Sequence, residues 1–216
     1  MRIPLTPHGL RELVLFGGCL LALTVAGWLL HPWVALPPLL LIVFVFSFFR
    51  DPERKPFGGA EVAVAPADGK VTDIDMVDEP EVIGGPALRI GIFLSVFNVH
   101  VNRVPLDGTV RLIRYQRGAF HDARSAACKE ENESNLVGFD GPRGPFAVRQ
   151  VTGLVARRIV CKLREGDEVA RGQRMGMIKF GSRTELIVPA DANVKVEVEV
   201  GQRVRGASSA LLRYES

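Results

Sequence analysis

Four short stretches of the sequence hold residue types that can do chemistry. Gly181-Ser182-Arg183 interrupts the otherwise apolar run "MIKFGSRTELIVP", residues 177 to 189. Glycine packs nothing and costs backbone entropy in a strand, so either a bulge or a reaction that needs a bare backbone places it there. In "FLSVFNVHVNRVP", residues 93 to 105, strand alternation sends Asn98, His100 and Asn102 to one face. A lone strand histidine is more often a satisfied core residue, yet polar groups gathered on one face of an apolar strand need a reason. "PADGKV" sets Asp68 at a tight turn, where it is either an Asx-turn aspartate or an acid aimed at a partner. In "ARRIVC" the adjacent Arg157 and Arg158 point to opposite strand faces, so that one can reach a phosphate while the other is solvated.

Other chemistries find no support. Ser182 has no G-x-S-x-G elbow around it, and the chain carries no HExxH, P-loop or GxGxxG. Cys19, Cys128 and Cys161 are an odd set without CxxC spacing, so neither a disulfide framework nor a metal site is expected. The net charge of +3 comes with scattered arginines and no basic stripe interleaved with aromatics, so no nucleic-acid partner is expected. The same mild charge suits an anionic membrane surface. His8, His31 and His121 match no ligand or catalytic pattern.

Strands must position these residues. After "FFRDPERKP" the texture turns to short β-type runs such as "ALRIGIFLSVF", "GTVRLIRYQ" and "NVKVEVEV", separated by Gly, Pro and Asp. A chain of 216 residues, 47% hydrophobic, is large enough for one domain with a true core plus a further segment. The predicted fold class is mainly β (α+β), a compact β-sandwich or barrel-sandwich-like core over residues 51–216, with only residues 122–135 helical or loop-like. "LREGDEVARGQRMGMI" and "VEVEVGQRVRGASSALL" form a weak internal repeat. With "APADGKV" it resembles the hammerhead turns of biotinyl and lipoyl carrier domains and of membrane-fusion adaptors. A rival function is therefore a membrane-anchored adaptor or carrier-like module without catalysis, although no exposed lysine tripeptide of the carrier kind sits at these turns.

Residues 1–50 read as a membrane anchor. From Leu13 to Phe49 there is no Asp, Glu, Lys or Arg, and "HPW" at residues 31 to 33 is the only break. Leu13 to Leu30 is long enough to cross the hydrocarbon, and Val34 to Phe49 returns as the second arm of a helical hairpin. The length of the run and the missing A-x-A site argue against a cleaved signal peptide. Arg2 and Arg11 precede the run and Arg50, Arg54 and Lys55 follow it, so the positive-inside rule puts both ends in the cytoplasm.

Taken together, "FFRDPERKP", "PADGKV", "FNVHVNRVP", "QVTGLVARRIVC" and above all "GQRMGMIKFGSRTELIVP" resemble phosphatidylserine decarboxylase in its short, membrane-anchored prokaryotic form, from Phe48 to the C-terminus. The resemblance implies a chain that cuts its own Gly181-Ser182 bond into a β chain, 1–181, and an α chain, 182–216. Ser182 becomes a covalent pyruvoyl group, the only cofactor. It further implies that this carbonyl forms a Schiff base with phosphatidylserine in the membrane and yields phosphatidylethanolamine and carbon dioxide. His100 is then the proton carrier, with an unperturbed pKa of about 6.5, and Asp68 orients it. Arg103, Arg157, Arg158, Asn132, Glu133 and Arg183 are candidates for headgroup binding.

The chain departs from the pattern at Arg103, where longer members carry a second histidine, at Arg183 of the cleavage triplet, and at Ser134, where the family often has Arg. A homo-oligomer at the inner membrane, with its catalytic domain on the cytoplasmic side, is expected. A pyruvoyl enzyme acting on a soluble amino acid would have no use for the anchor.

Overall fold

Backbone polar groups in an apolar segment have only each other to bond, which favours helix. Residues 10–30 and 32–48 follow that rule in the computed structural model, which describes residues 4–123, 125, 127–154, 158–179 and 182–215. The chain divides into two compact units, Met1–Glu53 and Arg54–Ser216.

In the first unit, Thr6 caps a 3₁₀ turn that runs into α1 (Leu10–Leu30). His31 ends that helix in extended backbone and caps α2 (Pro32–Phe48), its Nδ1 accepting from the Trp33 N–H at 3.4 Å. Pro32 opens α2, where its missing N–H is no loss. The Thr6 N–H donates to the Phe49 carbonyl at 2.9 Å and the Asp51 N–H to Pro4 at 2.8 Å, so the helices form a hairpin with its two ends tied together. Pro7–Leu30, 24 residues of mean hydropathy 2.3, is long and apolar enough to cross a bilayer, whereas Pro32–Phe48 is shorter. Only 11% of the apolar window is buried, unlike the core helix of a soluble protein, and this suggests association with a membrane.

The second unit is mostly β, as the short alternating runs predict. Its strands are β1 (Val62–Val64), β2 (Gly69–Glu79), β3 (Gly85–Leu94), β4 (Val101–Arg103), β5 (Gly108–Gln116), β6 (Ser134–Gly141) and β7 (Gly144–Val151). There follow β8 (Arg158–Cys161), β9 (Glu168–Val169), β10 (Arg174–Lys179), β11 (Ser182–Pro189), β12 (Val194–Val196), β13 (Arg203–Val204) and β14 (Ala210–Tyr214). Between β5 and β6, Cys128–Glu131 is the α-helical part (α3) among the described residues of 122–135.

An eight-stranded sheet, ordered β13-β2-β3-β11-β7-β6-β5-β9, curls into a half-barrel. Two three-stranded sheets, β1-β14-β12 and β4-β10-β8, complete the described strands. The main core lies where these sheets face one another. Ile90, Ile92, Leu94, Val148 and Leu186 of the large sheet pack with Ala63, Val104, Met175 and Leu212 of the regions around the small ones.

The weak internal repeat is a real structural unit. Gly172 (φ +80°) and Gly201 (φ +97°) occupy matching turns, and the following Gln173 and Gln202 each accept the backbone N–H three residues back at 3.0 Å. Each turn exchanges two backbone bonds with a valine, Val104 in one case and Val71 in the other.

Two readings of single strands need correction. Residues 177–189 are two strands in two sheets, β10 ending at Lys179 and β11 beginning at Ser182. Residues 93–105 are also broken. β3 stops at Leu94, and the next residues form a turn in which the Asn98 Oδ1 accepts from the Ser95 N–H at 2.9 Å and the Ser95 hydroxyl at 2.8 Å. Asparagine's affinity for nearby backbone donors outweighs β alternation there.

Candidate active site

The candidate site lies at the change of sheet between β10 and β11. Ser182 enters the large sheet between two neighbours: it pairs with Leu94 of β3, and Arg183 pairs with Val151 of β7. Gly181 lies outside the described residues, as does Arg157. Ser182 is 0% exposed, and its Oγ is one of the buried polar atoms without a hydrogen-bond partner among the described residues. Leaving a buried hydroxyl unpaired costs about 1–3 kcal/mol, so its retention calls for a function.

His100 reaches this point through β4. That strand runs antiparallel to β10, with Val101 opposite Met177, and the His100 carbonyl accepts the Ile178 N–H at 3.3 Å. The imidazole is fully buried, and its Nδ1 lies 3.0 Å from the Asn98 carbonyl. A carbonyl oxygen only accepts, so Nδ1 carries the proton and Nε2 is the basic nitrogen of the neutral ring.

A chain of buried amides brings the His100 strand and the Ser182 strand face to face. The Asn102 Nδ2 donates to Thr184 Oγ1 at 3.0 Å, the Gln150 Nε2 to Asn102 Oδ1 at 2.8 Å, and the Asn135 Nδ2 to Gln150 Oε1 at 3.2 Å. All four residues are at most 3% exposed. In extended backbone, residues two apart share a face, so the Asn102–Thr184 bond sets the surface that carries His100 against the one that carries Ser182.

Asp68 is tied to β4 by its turn. The Arg103 N–H donates to the Pro66 carbonyl at 2.8 Å and pins the Asp68 turn to β4. Among the described residues the Asp68 carboxylate is held by both terminal nitrogens of Arg54 and by the Gly206 N–H at 2.8 Å, in place of the imidazole.

The headgroup candidates are scattered. Arg183 points to the face of β11 opposite Ser182, is 1% exposed, and is committed to Asp73, Thr72 and Glu185 at 2.6–2.7 Å. Burial alone would raise the Asp73 carboxyl, but the bonds and charge of Arg183 outweigh it and hold the group well below the usual carboxylate range. Arg103 is 2% exposed and donates to the Gly172 carbonyl at 3.0 Å. Asn132 and Glu133 brace the segment after β7: the Asn132 Nδ2 donates to the Thr152 carbonyl at 2.8 Å, and the Glu133 carbonyl accepts the Thr152 N–H at 2.9 Å. Arg158 is the exposed member, at the start of β8 opposite Lys179. Burial pushes the Cys128 and Cys161 thiols up, so neither is a ready nucleophile near neutrality. Neither a metal-holding cluster of His, Cys, Asp or Glu nor a signal for one occurs among the described residues.

Sequence reasoning gave no site role to Asp73, Arg54, Gln150 or Thr184. Only Thr184 carried a local signal, being two residues beyond Ser182 and so on its face.

Comparison with known proteins gives the same direction throughout. A family model described as phosphatidylserine decarboxylase matches residues 41–211. A phosphatidylserine decarboxylase proenzyme of Rhodopirellula baltica is 43% identical over 99% of this chain and 89% of its own. That of Carboxydothermus hydrogenoformans is 43% identical over 89% of this chain and 90% of its own, and that of Chlorobium limicola 38% over 97% and 100%. With a family match across residues 41–211 and relatives about 40% identical over most of its length, this chain belongs to the phosphatidylserine decarboxylase family.

Proposed function

We propose that the chain is a self-processing, pyruvoyl-dependent phosphatidylserine decarboxylase that makes phosphatidylethanolamine and carbon dioxide. The observation that carries this reading is the unpartnered Ser182 Oγ, buried where β10 gives way to β11 and on a surface facing that of His100.

The Ser182 hydroxyl attacks the Gly181 carbonyl and gives its proton to His100 Nε2. The C–N bond breaks as the imidazolium returns that proton to the departing amine, leaving an ester. Loss of the residue-182 Cα proton expels the Gly181 carboxylate and leaves dehydroalanine. Its tautomer takes up one water and releases ammonia, leaving a ketone as the new N-terminus. Ser182 fits this fate, because its Oγ gives up no hydrogen bond among the described residues on being lost. The resulting pyruvoyl carbonyl supplies an electrophile for the substrate amine and a sink for the electrons of the breaking C–CO₂ bond.

In turnover His100 holds and returns the proton, the Asn98 carbonyl fixing its tautomer. Asp68 belongs to the set through its pinned turn, and exchanging Arg54 for the imidazole is the rearrangement its role requires. Arg158, exposed at the junction, is assigned to the anionic headgroup, with Arg103, Arg157, Asn132 and Glu133 shaping the surroundings. The proposed anchor, residues 1–50, holds the catalytic domain, residues 51–216, at the cytoplasmic face of the inner membrane, and the enzyme is proposed to be a homo-oligomer.

Mass spectrometry of the purified chain is the test. Two fragments are expected, their summed mass equal to the precursor plus water less ammonia, the smaller blocked to Edman sequencing. Ser182→Ala should remain whole, and His100→Ala should lose both processing and turnover. A full-length native chain that still decarboxylates phosphatidylserine would end this reading.

A further inference from the structure

The strand register collects several exposed residues at the end of the large sheet where Ser182 lies. β11 begins there, flanked by β3, which ends at Leu94, and β7, which ends at Val151. Each flanking strand is followed by a loop that lifts a large apolar side chain into solvent: Phe97 is 73% exposed and Leu154 is 64% exposed.

The same end carries three exposed cations. Lys70 pairs with Phe93 across β2 and β3, Arg203 pairs with Lys70 across β13 and β2, and Arg158 stands opposite Lys179. None of the three enters an ion pair among the described residues. Like charges directly opposite on antiparallel strands repel, so an anion between Lys70 and Arg203 would relieve that repulsion. A cavity of about 450 Å³, lined by Lys70, Phe93, Ser95, Phe97, Asn98 and Arg203, opens beside them and has no carboxylate in its wall.

We propose that this end of the catalytic unit is a second membrane contact, separate from the helical hairpin, which seats Phe97 and Leu154 among the lipid headgroups and holds anionic phospholipid with Lys70, Arg203 and Arg158. Apolar tips ringed by unpaired cations match a surface that is negative outside and apolar beneath, and two weak attachments together hold a bilayer far better than one. The inference rests on the proposed function only in that the contact lies at the sheet end where β11 begins and so brings a lipid-borne substrate to that end.

The test uses the full chain in vesicles, with Trp28→Phe and Trp33→Phe removing the native indoles and Phe97→Trp supplying a reporter. In vesicles containing phosphatidylglycerol, lipids brominated near the headgroup should quench the reporter, and quenching should fall when Lys70→Gln and Arg203→Gln are added or when phosphatidylcholine alone is used. A reporter that stays unquenched in anionic vesicles overturns the proposal and leaves this end to water, a second copy or a protein. In the otherwise native chain, Phe97→Ser with Leu154→Ser should lower turnover of bilayer phosphatidylserine about tenfold and spare a short-chain phosphatidylserine dissolved as monomer. Equal loss on both substrates would also overturn it. Quenching does not need turnover: a chain that is quenched as expected but never processed would refute the proposed function and leave the contact standing.

Discussion

Arg183 shows how one residue can serve a site without touching it. Its guanidinium meets both Asp73 oxygens at 2.6 Å and Glu185 at 2.6 Å, across a gap that exists because residue 91 is glycine. A Cβ on Gly91 would fall 1.9 Å from Arg183 Nη2. After cleavage Arg183 would be the second residue of the new chain, so this clamp would hold the strand end that carries the reactive group. Because the Asp73 carboxyl is depressed in the folded state, its stabilisation is complete above the unfolded pKa near 3.8 and is lost only as pH falls through the lower, folded value. In a Ser182→Ala background, Asp73→Asn should cost about 3 kcal/mol in urea unfolding at pH 7. The difference from the parent should persist at pH 5 and close only in strong acid. Thr184→Val tests the other face of β11. It strands the Asn102 amide, should cost about 1–3 kcal/mol and should slow the appearance of the two fragments, with Thr184→Ser restoring the rate.

At the level of elements, the junction owes its geometry to an exchange of sheets. β10 is held by β4 and β8, while β11 is held by β3 and β7, so neither can slide without breaking ladders on both sides. That arrangement gives His100 a fixed frame. β14, held between β1 and β12, contains a local defect. The Tyr214 hydroxyl is buried without a partner among the described residues, and burial pushes its pKa up to about 12. Removing an unsatisfied hydroxyl removes a penalty. Tyr214→Phe should therefore leave the melting temperature unchanged or raise it, measured by calorimetry on the Ser182→Ala chain.

Across the whole molecule, residues 182–216 are woven through the fold. They supply β11 and β13 to the large sheet and β12 and β14 to a small one. A cut before Ser182 would leave all these ladders intact, so the two proposed chains should elute as one species under native conditions and separate only in denaturant. Elution of the small fragment alone from native protein would show that the sheets do not hold it. The hairpin brings both of its ends to one side. A reporter enzyme active only outside the inner membrane should accordingly work when inserted at His31 and fail at the C-terminus. The reverse pattern would invert the proposed orientation.

The sequence by itself determined the two apolar helices, the β character of the remainder, the turn repeat and the Gly-Ser pair of the candidate site. Each of these is written in neighbouring residues: an uncharged apolar run, a period of two, Gly-Gln turns, and glycine before serine in an apolar segment. It also marked His100, through the polar face that residue shares with Asn102. Only the tertiary structure decided that β10 and β11 belong to different sheets, that Arg183 turns away from Ser182 towards Asp73, and that Asp68 rests on Arg54. These outcomes depend on pairings between residues about 14 to 110 positions apart, as the Arg54–Asp68 and Asp73–Arg183 bonds show. Local spacing carries no information about such pairings, because a side chain's partner is set by which strands adjoin, and that follows from burial of the whole core.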